Sequence, residues 1–428
     1  MMKHILYIIY LFSMGMTAQN FKEKAILLDD DNSLNPLIKA VSNRKLVMMG
    51  EASHGTHEYY LWRDKITRKL IEERDFNFIA VEGDFASLYE LNRYVKNKKG
   101  SADSAREVLL KLKRWPTWMW ANEEVVSLAE WLRTYNDSLS EKDKIGFYGM
   151  DVYDEWQSKS EVLRLMEDQD NTALKYVQSQ YDCFNPYKGY SWEYARAVKR
   201  GRPDCAQATK NVVNYIRDNQ SNLSLTSDEY FYLLQNALIV HNAEEFYRES
   251  VVSPDVVSWN SRVFHMHETI KDLFMLYGED SKGIVWAHNT HIGDAQYTNM
   301  RNSGEKNIGQ LSRELLGAEQ VFLIGLTSYE GTVMAGSEWG APMQKMTIPK
   351  AIKNSVEHEM KKTGLHSFYV LFDQEDRKEK NLKVTGHRAV GVVYNPDRDR
   401  IQFVPTIVPL RYDALLFFDK STALHVLE

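Results

Sequence analysis

Between Lys45 and Met150, short apolar runs alternate with amphipathic segments of helical period, which predicts a mostly parallel sheet with helices packed on it. Strands are expected over 46–50, 78–82 and 145–150, and helices over 56–74, 86–96, 102–113 and 122–135. From Glu155 to about Tyr277 strand signals vanish, and helices are expected over 158–167, 174–181, 191–218, 227–248 and 253–276, with turns at 185–190 and 201–203. The sheet pattern resumes at Gly283. A helix is expected over 304–316, and strands over 320–325, 366–372, 389–394, 402–405 and 414–418. The expected fold class is α/β, a central, mostly parallel sheet flanked by helices. Its first part (19–154) and second part (279–428) are separated by a helical insertion (155–278) that forms a lobe over a cleft.

The apolar runs end on polar residues. The first runs into Gly50-Glu51-Ala52-Ser53-His54-Gly55, the second into Glu82-Gly83-Asp84, and the third into Asp151. The strand at Gly283 runs into Trp286-Ala287-His288-Asn289-Thr290-His291. In α/β sheets, ligands bind beyond the carboxyl ends of the strands. One acidic strand end is ordinarily a solvated cap, but three converging on one sheet edge favour a site. Arg63 in the first helix and Arg262 in the insertion add cations.

Composition narrows the picture. A net charge of −6 without a lysine- or arginine-rich run excludes the basic footprint of a nucleic-acid binder. Lys3, the apolar run 5–16 and the small residues Thr17-Ala18 predict a cleaved export signal over 1–18, so the chain is expected to be periplasmic or secreted, with no membrane attachment after cleavage. In an oxidising compartment Cys183 and Cys205 are a plausible disulfide, worth about 3 kcal/mol by loop entropy, with two free thiols as the alternative. Most aromatic residues of the insertion, such as Trp192, Tyr232, Phe246 and Tyr247, are expected in the core.

There is no Gly-x-Ser-x-Gly elbow, Walker loop or Gly-x-Gly-x-x-Gly fingerprint. What remains is acid–base machinery for attack by water: a histidine to take the proton, a carboxylate to orient it, and arginine and further histidines to stabilise an oxyanion. Two other readings stay open. Glu51, His54, His288 and His291 are a possible mixed N/O metal-ligand set for a metal-dependent hydrolase, although His54-Gly55-Thr56-His57-Glu58 is not the helical His-Glu-x-x-His motif. A non-enzymatic exported haem- or iron-binding protein is the third reading.

Taken together, Gly50-Glu51-Ala52-Ser53-His54-Gly55-Thr56-His57-Glu58, Val81-Glu82-Gly83-Asp84, Phe147-Tyr148-Gly149-Met150-Asp151 and Trp286-Ala287-His288-Asn289-Thr290-His291 resemble the erythromycin esterase family. Arg63, Cys183-Phe184-Asn185-Pro186-Tyr187, Tyr194-Ala195-Arg196, Arg388 to Tyr394 and Tyr412-Asp413-Ala414 extend the resemblance over nearly the whole mature chain. The resemblance implies hydrolytic opening of the macrocyclic lactone of macrolide antibiotics, hence macrolide resistance, with no cofactor and no required metal. It implies His54 as general base on water, supported by Glu51, Glu82, Arg63 and His288. His291, Arg262, Asp84, Asp151 and Trp286 are expected to contact the substrate. The export signal departs from the family, whose characterised macrolide esterases generally act in the cytoplasm; other members have no established substrate.

Overall fold

Nine strands of the computed structural model form one sheet in the order β1-β8-β11-β6-β2-β5-β3-β4, with β7 paired to β6 beside that path. The strands are β1 (Ile26–Leu27), β2 (Leu46–Met49), β3 (Phe78–Asp84), β4 (Gly146–Asp151), β5 (Gly283–Trp286), β6 (Val321–Gly336), β7 (Met343–Ile348), β8 (Ser367–Leu371) and β11 (Ala414–Ser421). β9 (Thr385–Arg388) and β10 (Phe403–Thr406) make a separate antiparallel pair. The contacts β11–β6, β6–β2, β2–β5, β5–β3 and β3–β4 are parallel, whereas β8, β1 and β7 join antiparallel. The structure describes residues 16–379 and 382–428. The export signal expected over 1–18 therefore lies, apart from its last three residues, outside the described residues. Thr17 caps a helix, Ala18–Lys24.

The central strands read as unbroken apolar runs because both faces are covered. Leu46 and Met48 pack with Phe78 and Ala80 into the core shared with the helices of the insertion. Val47 and Met49 pack with Ile79 and Val81 into the opposite core, beneath the helix His57–Arg74. This period-two division fixes which face each strand-end side chain leaves from.

Between β4 and β5 the chain is helical: Glu155–Glu167, Asn171–Tyr181, Ser191–Lys199, Ala206–Asp218, Ser227–Val252 and Asp255–Tyr277. The single helix expected over 191–218 is two. They part where Gly201 takes φ 89° and Pro203 follows, a stretch that brings Cys205 back to Cys183 in a disulfide with a Cα–Cα distance of 5.9 Å. No described helix is long and apolar enough to cross a membrane.

Three differences from the sequence reading matter for the site. The helix expected over 102–113 is only Ala105–Leu109, and the following stretch loops over the sheet edge. β6 runs for 16 residues and folds back through β7, whose outward, mostly exposed Gln344, Lys345 and Thr347 hid it from an apolar-run reading. The strand expected over 389–394 is irregular: its apolar residues make isolated bridges, Val390 to Ser53 and Val393 to Gly336, instead of a ladder.

Candidate active site

β2 ends at Met49, and the chain turns through Gly50 into the loop that carries Glu51 and His54. Gly50 is bare because Asn289 covers it; a Cβ there would lie 2.0 Å from Asn289 Oδ1. The Asn289 amide donates to the Glu51 carbonyl at 2.9 Å, which ties the loops after β2 and β5 together. The His54 and His288 rings consequently meet with centroids 4.9 Å apart.

Glu51 is buried and joins two partners. His54 Nδ1 donates to its Oε1 at 2.9 Å, and Arg63 Nη2 donates to Oε2 at 2.8 Å. A carboxylate only accepts, so the His54 proton sits on Nδ1 and the lone pair of the neutral ring on Nε2. Arg63 is fully buried, its guanidinium 4.3 Å from the Tyr60 ring centre and 4.6 Å from that of Trp286. Trp286 itself donates to Thr67 Oγ1 at 3.1 Å and is buried. It was expected against substrate; instead it leaves the inward face of β5 and braces Arg63 from below.

A second group is gathered by the insertion. Arg262, on the helix Asp255–Tyr277, donates through Nε and Nη2 to Asp151 Oδ1 and Oδ2 at 2.8 and 2.7 Å, and through Nη2 to Glu82 Oε1 at 2.9 Å. Its Nη1 is 3.3 Å from His291 Nε2. Glu82 Oε2 accepts the His288 backbone N–H at 2.8 Å, and His291 stacks on Trp259 with centroids 4.9 Å apart. One arginine thus clamps the ends of β3 and β4 and the loop after β5. Asp84, the register neighbour of Asp151, holds Arg114 Nε at 2.6 Å.

The protonation states follow from these contacts. Burial alone would push the His54 imidazole down, but the charge on Glu82 and the hydrogen bond and charge of Glu51 outweigh it, so His54 titrates above the usual histidine range. Burial and the repulsion of His54 push His288 well below that range, so it is neutral. Its Nδ1 accepts the Thr290 amide at 3.2 Å, which puts its proton on Nε2. Burial opposes ionisation of Glu82, but His291, His54 and Arg262 hold it well below the ordinary glutamate value. Asp151 is likewise depressed against burial by Arg262, whereas burial raises Asp84 despite Arg114.

These groups border a cavity of about 380 Å³. Of the residues singled out in the sequence, His54, Glu82, Asp84, Asp151, Arg262, His288 and His291 line it, and Glu51 and Arg63 stand behind His54. Arg114, Trp120, Tyr153, Trp259 and Trp339 complete the walls, and none of them was anticipated. The signal was present: Arg114-Trp115-Pro116-Thr117-Trp118-Met119-Trp120 is too aromatic for a solvated connector. Tyr232, Phe246 and Tyr247 of the insertion are in the core, whereas Trp192, expected with them, is exposed. Among the described residues, the His, Cys and carboxylate groups spaced as a three-ligand metal site are His57, Glu124 and His425, outside this cavity; the set Glu51, His54, His288 and His291 is not so spaced.

The profile of the family described as Erythromycin esterase matches residues 71–421. The chain is 24% identical to "Erythromycin esterase type II" of Escherichia coli over 374 residues, covering 80% of this chain and 84% of that protein. Its fold is similar to the crystal structure of a Bacillus cereus protein (TM-score 0.77, 21% identity, 96% and 98% of the two chains). It is similar also to a "succinoglycan biosynthesis protein" (TM-score 0.78, 20% identity, 96% and 98%). The fold matches as well that of an erythromycin esterase, EreC, solved as a histidine-to-asparagine mutant in its open conformation (TM-score 0.65, 17% identity, 93% and 95%).

Proposed function

This chain belongs to the erythromycin esterase family, and from that premise we propose that it opens the macrocyclic lactone of a macrolide by direct attack of water, with His54 as the base. Family membership implies an esterase; the macrolide substrate, the role of His54 and a part in macrolide resistance are our reading. The observation that carries it is the His54 environment. Its Nδ1–H is held by Glu51, Glu51 is held by Arg63, and its Nε2 is not engaged by any described residue on a ring that borders the cavity.

Water placed between His54 and the acyl carbon gives its proton to Nε2 as its oxygen bonds to carbon. The imidazolium that forms is stabilised by Glu51 and by the negative charge of Glu82. The carbonyl oxygen becomes an oxyanion, for which the neutral Nε2–H of His288 is a donor that need not surrender its proton. Collapse breaks the acyl–oxygen bond, and the departing alkoxide takes the proton from His54. One water is consumed, and a carboxylic acid and a hydroxyl appear on what had been the ring. Arg262 holds Glu82 and Asp151 in place, and Trp120, Tyr153, Trp259 and Trp339 offer apolar surface to the substrate.

Incubation of the protein with erythromycin and a larger-ring macrolide, followed by mass spectrometry, tests this. The expected result is addition of one water that persists in chelator; absence of any product with either drug overturns the macrolide assignment. We further propose that the chain acts outside the cytoplasm after cleavage near Ala18, on the strength of its basic, apolar and small-residue N-terminal pattern and the Cys183–Cys205 bridge. A mature N-terminus at Met1 in protein purified from its natural cell would sink that proposal.

A further inference from the structure

Away from the cavity, three distant segments bring two imidazoles and a carboxylate together. His57 is the first residue of the helix His57–Arg74, Glu124 is the second of the helix Glu123–Asp137, and His425 lies in the tail that follows β11. Their candidate ligand atoms all lie within 4.8 Å of one another. Both His57 Nδ1 (2.6 Å) and His425 Nδ1 (2.7 Å) lie on the same oxygen of Glu124, Oε1, and the His425 amide approaches it at 3.3 Å. The other oxygen, Oε2, is buried and without a hydrogen-bond partner. Glu124 is only 8% exposed. A buried carboxylate with one crowded oxygen and one orphaned oxygen is poorly satisfied by hydrogen bonds alone.

We propose that His57, Glu124 and His425 form a binding site for a divalent cation of the zinc class, structural in role and separate from the hydrolytic cavity. Two imidazole nitrogens and one carboxylate oxygen are a donor set suited to zinc. At metal–ligand distances of about 2.0–2.1 Å, tetrahedral donors stand roughly 3.3 Å apart. Reaching that spacing needs the two nitrogens, now 2.6 and 2.7 Å from Oε1, to withdraw by roughly 0.6–0.7 Å. The His425 side chain is 62% exposed on the tail, so its ring has room to make that adjustment.

The site would act as a clasp. The tail is already laced to the loop of the proposed base: the His57 amide donates to the Thr422 carbonyl at 2.9 Å, Leu424 N to the Gly55 carbonyl at 3.1 Å, and Glu123 N to the His425 carbonyl at 2.8 Å. Gly55 directly follows His54. A cation joining His57 and Glu124 to His425 cross-links the tail to two helix starts and so holds the turn that follows His54. This inference does not rest on the hydrolase reading.

The test uses the full chain, stripped with chelator and titrated with zinc chloride alone by calorimetry, with Tm read in parallel. The wild type is expected to bind one equivalent of zinc and to gain thermal stability. His425→Ala, a change at the exposed surface that the fold tolerates, should lose affinity by about 100-fold or more and lose the Tm gain. Glu124→Gln should do the same. His54→Ala, which removes an imidazole from the cavity, should bind zinc as the wild type does. Failure of the wild type to bind, undiminished binding by His425→Ala, or binding lost in His54→Ala but not in His425→Ala overturns the proposal.

Discussion

Two of the buried histidine–glutamate pairs among the described residues behave oppositely. His54 donates to Glu51 at 2.9 Å, and His387, on β9, to Glu357 at 2.7 Å. Each glutamate is also held by an arginine, Glu51 by the Arg63 side chain and Glu357 by the Arg388 backbone amide at 2.9 Å. Burial pushes both imidazoles down. At His54 the carboxylates Glu82 and Glu51 overcome it, whereas at His387 the charges of Arg411 and Arg388 work with burial against Glu357, so His387 titrates below the usual range. His54 also borders the cavity, while His387 Nε2 is buried with no partner. A histidine–glutamate pair is therefore not in itself a base. The second carboxylate and the open side of the ring make it one.

Exchanging the two pairs by mutation gives the sharpest contrast. His54→Ala is expected to lower kcat/KM for the lactone by about 10³-fold while the circular dichroism spectrum stays that of the wild type. His387→Ala should leave kcat/KM near the wild-type value, and equal losses in both variants would erase the distinction. Stability should reverse the order. His387→Ala empties a sealed site beside the buried Glu357 and is expected to cost roughly 3 kcal/mol in urea unfolding, whereas at His54 water from the cavity replaces the lost imidazole beside Glu51 and the cost is smaller. Arg63→Met strikes the support of one pair only. With the hydrogen bond from Arg63 gone, Glu51 loses its fixed position and holds His54 less well, for an expected loss in kcat of about 10²-fold.

The smallest effect is a displacement in pH. A base works unprotonated, so kcat should rise with pH through the elevated pKa of His54. Glu51→Gln removes a charge that favours the imidazolium, so the acid limb of the residual activity should move to lower pH. A limb that stays put or moves up would assign that titration to a different group.

The strand-end logic was legible because it is local. An apolar run long enough to be buried on both faces, stopping at Gly50 or Gly83 beside a carboxylate, announces both the strand and the place where its polar end emerges. Arg262 was legible for a weaker reason, as a cation in a helix of the insertion, and its grip on Glu82 and Asp151 was not. Tyr153 and Trp259 were not legible, because each becomes a cavity wall only when the lobe folds over the sheet edge; the aromatic run that begins at Arg114 carried a signal in its composition, but its place over the site is set by the fold. Trp286 misled because it neighbours His288. Trp286 is the last residue of β5 and packs in the core beneath Arg63, whereas His288 lies past the strand end, in the turn that caps the next helix and borders the cavity.

By itself, the sequence determined the alternation of strand and helix, the helical interruption between β4 and β5, the cysteines available for a bridge, and the acidic and imidazole groups gathered at one sheet edge. Each depends on periodicity or on residue type, which the linear chain carries in full. Only the tertiary structure decided which histidine is raised and which is lowered, which tryptophan faces the cavity, and that the C-terminal tail returns to the helix beginning at His57. Those outcomes depend on the sign and distance of charges, and on packing, between residues far apart in the chain. They come into being only when the fold sets the distances.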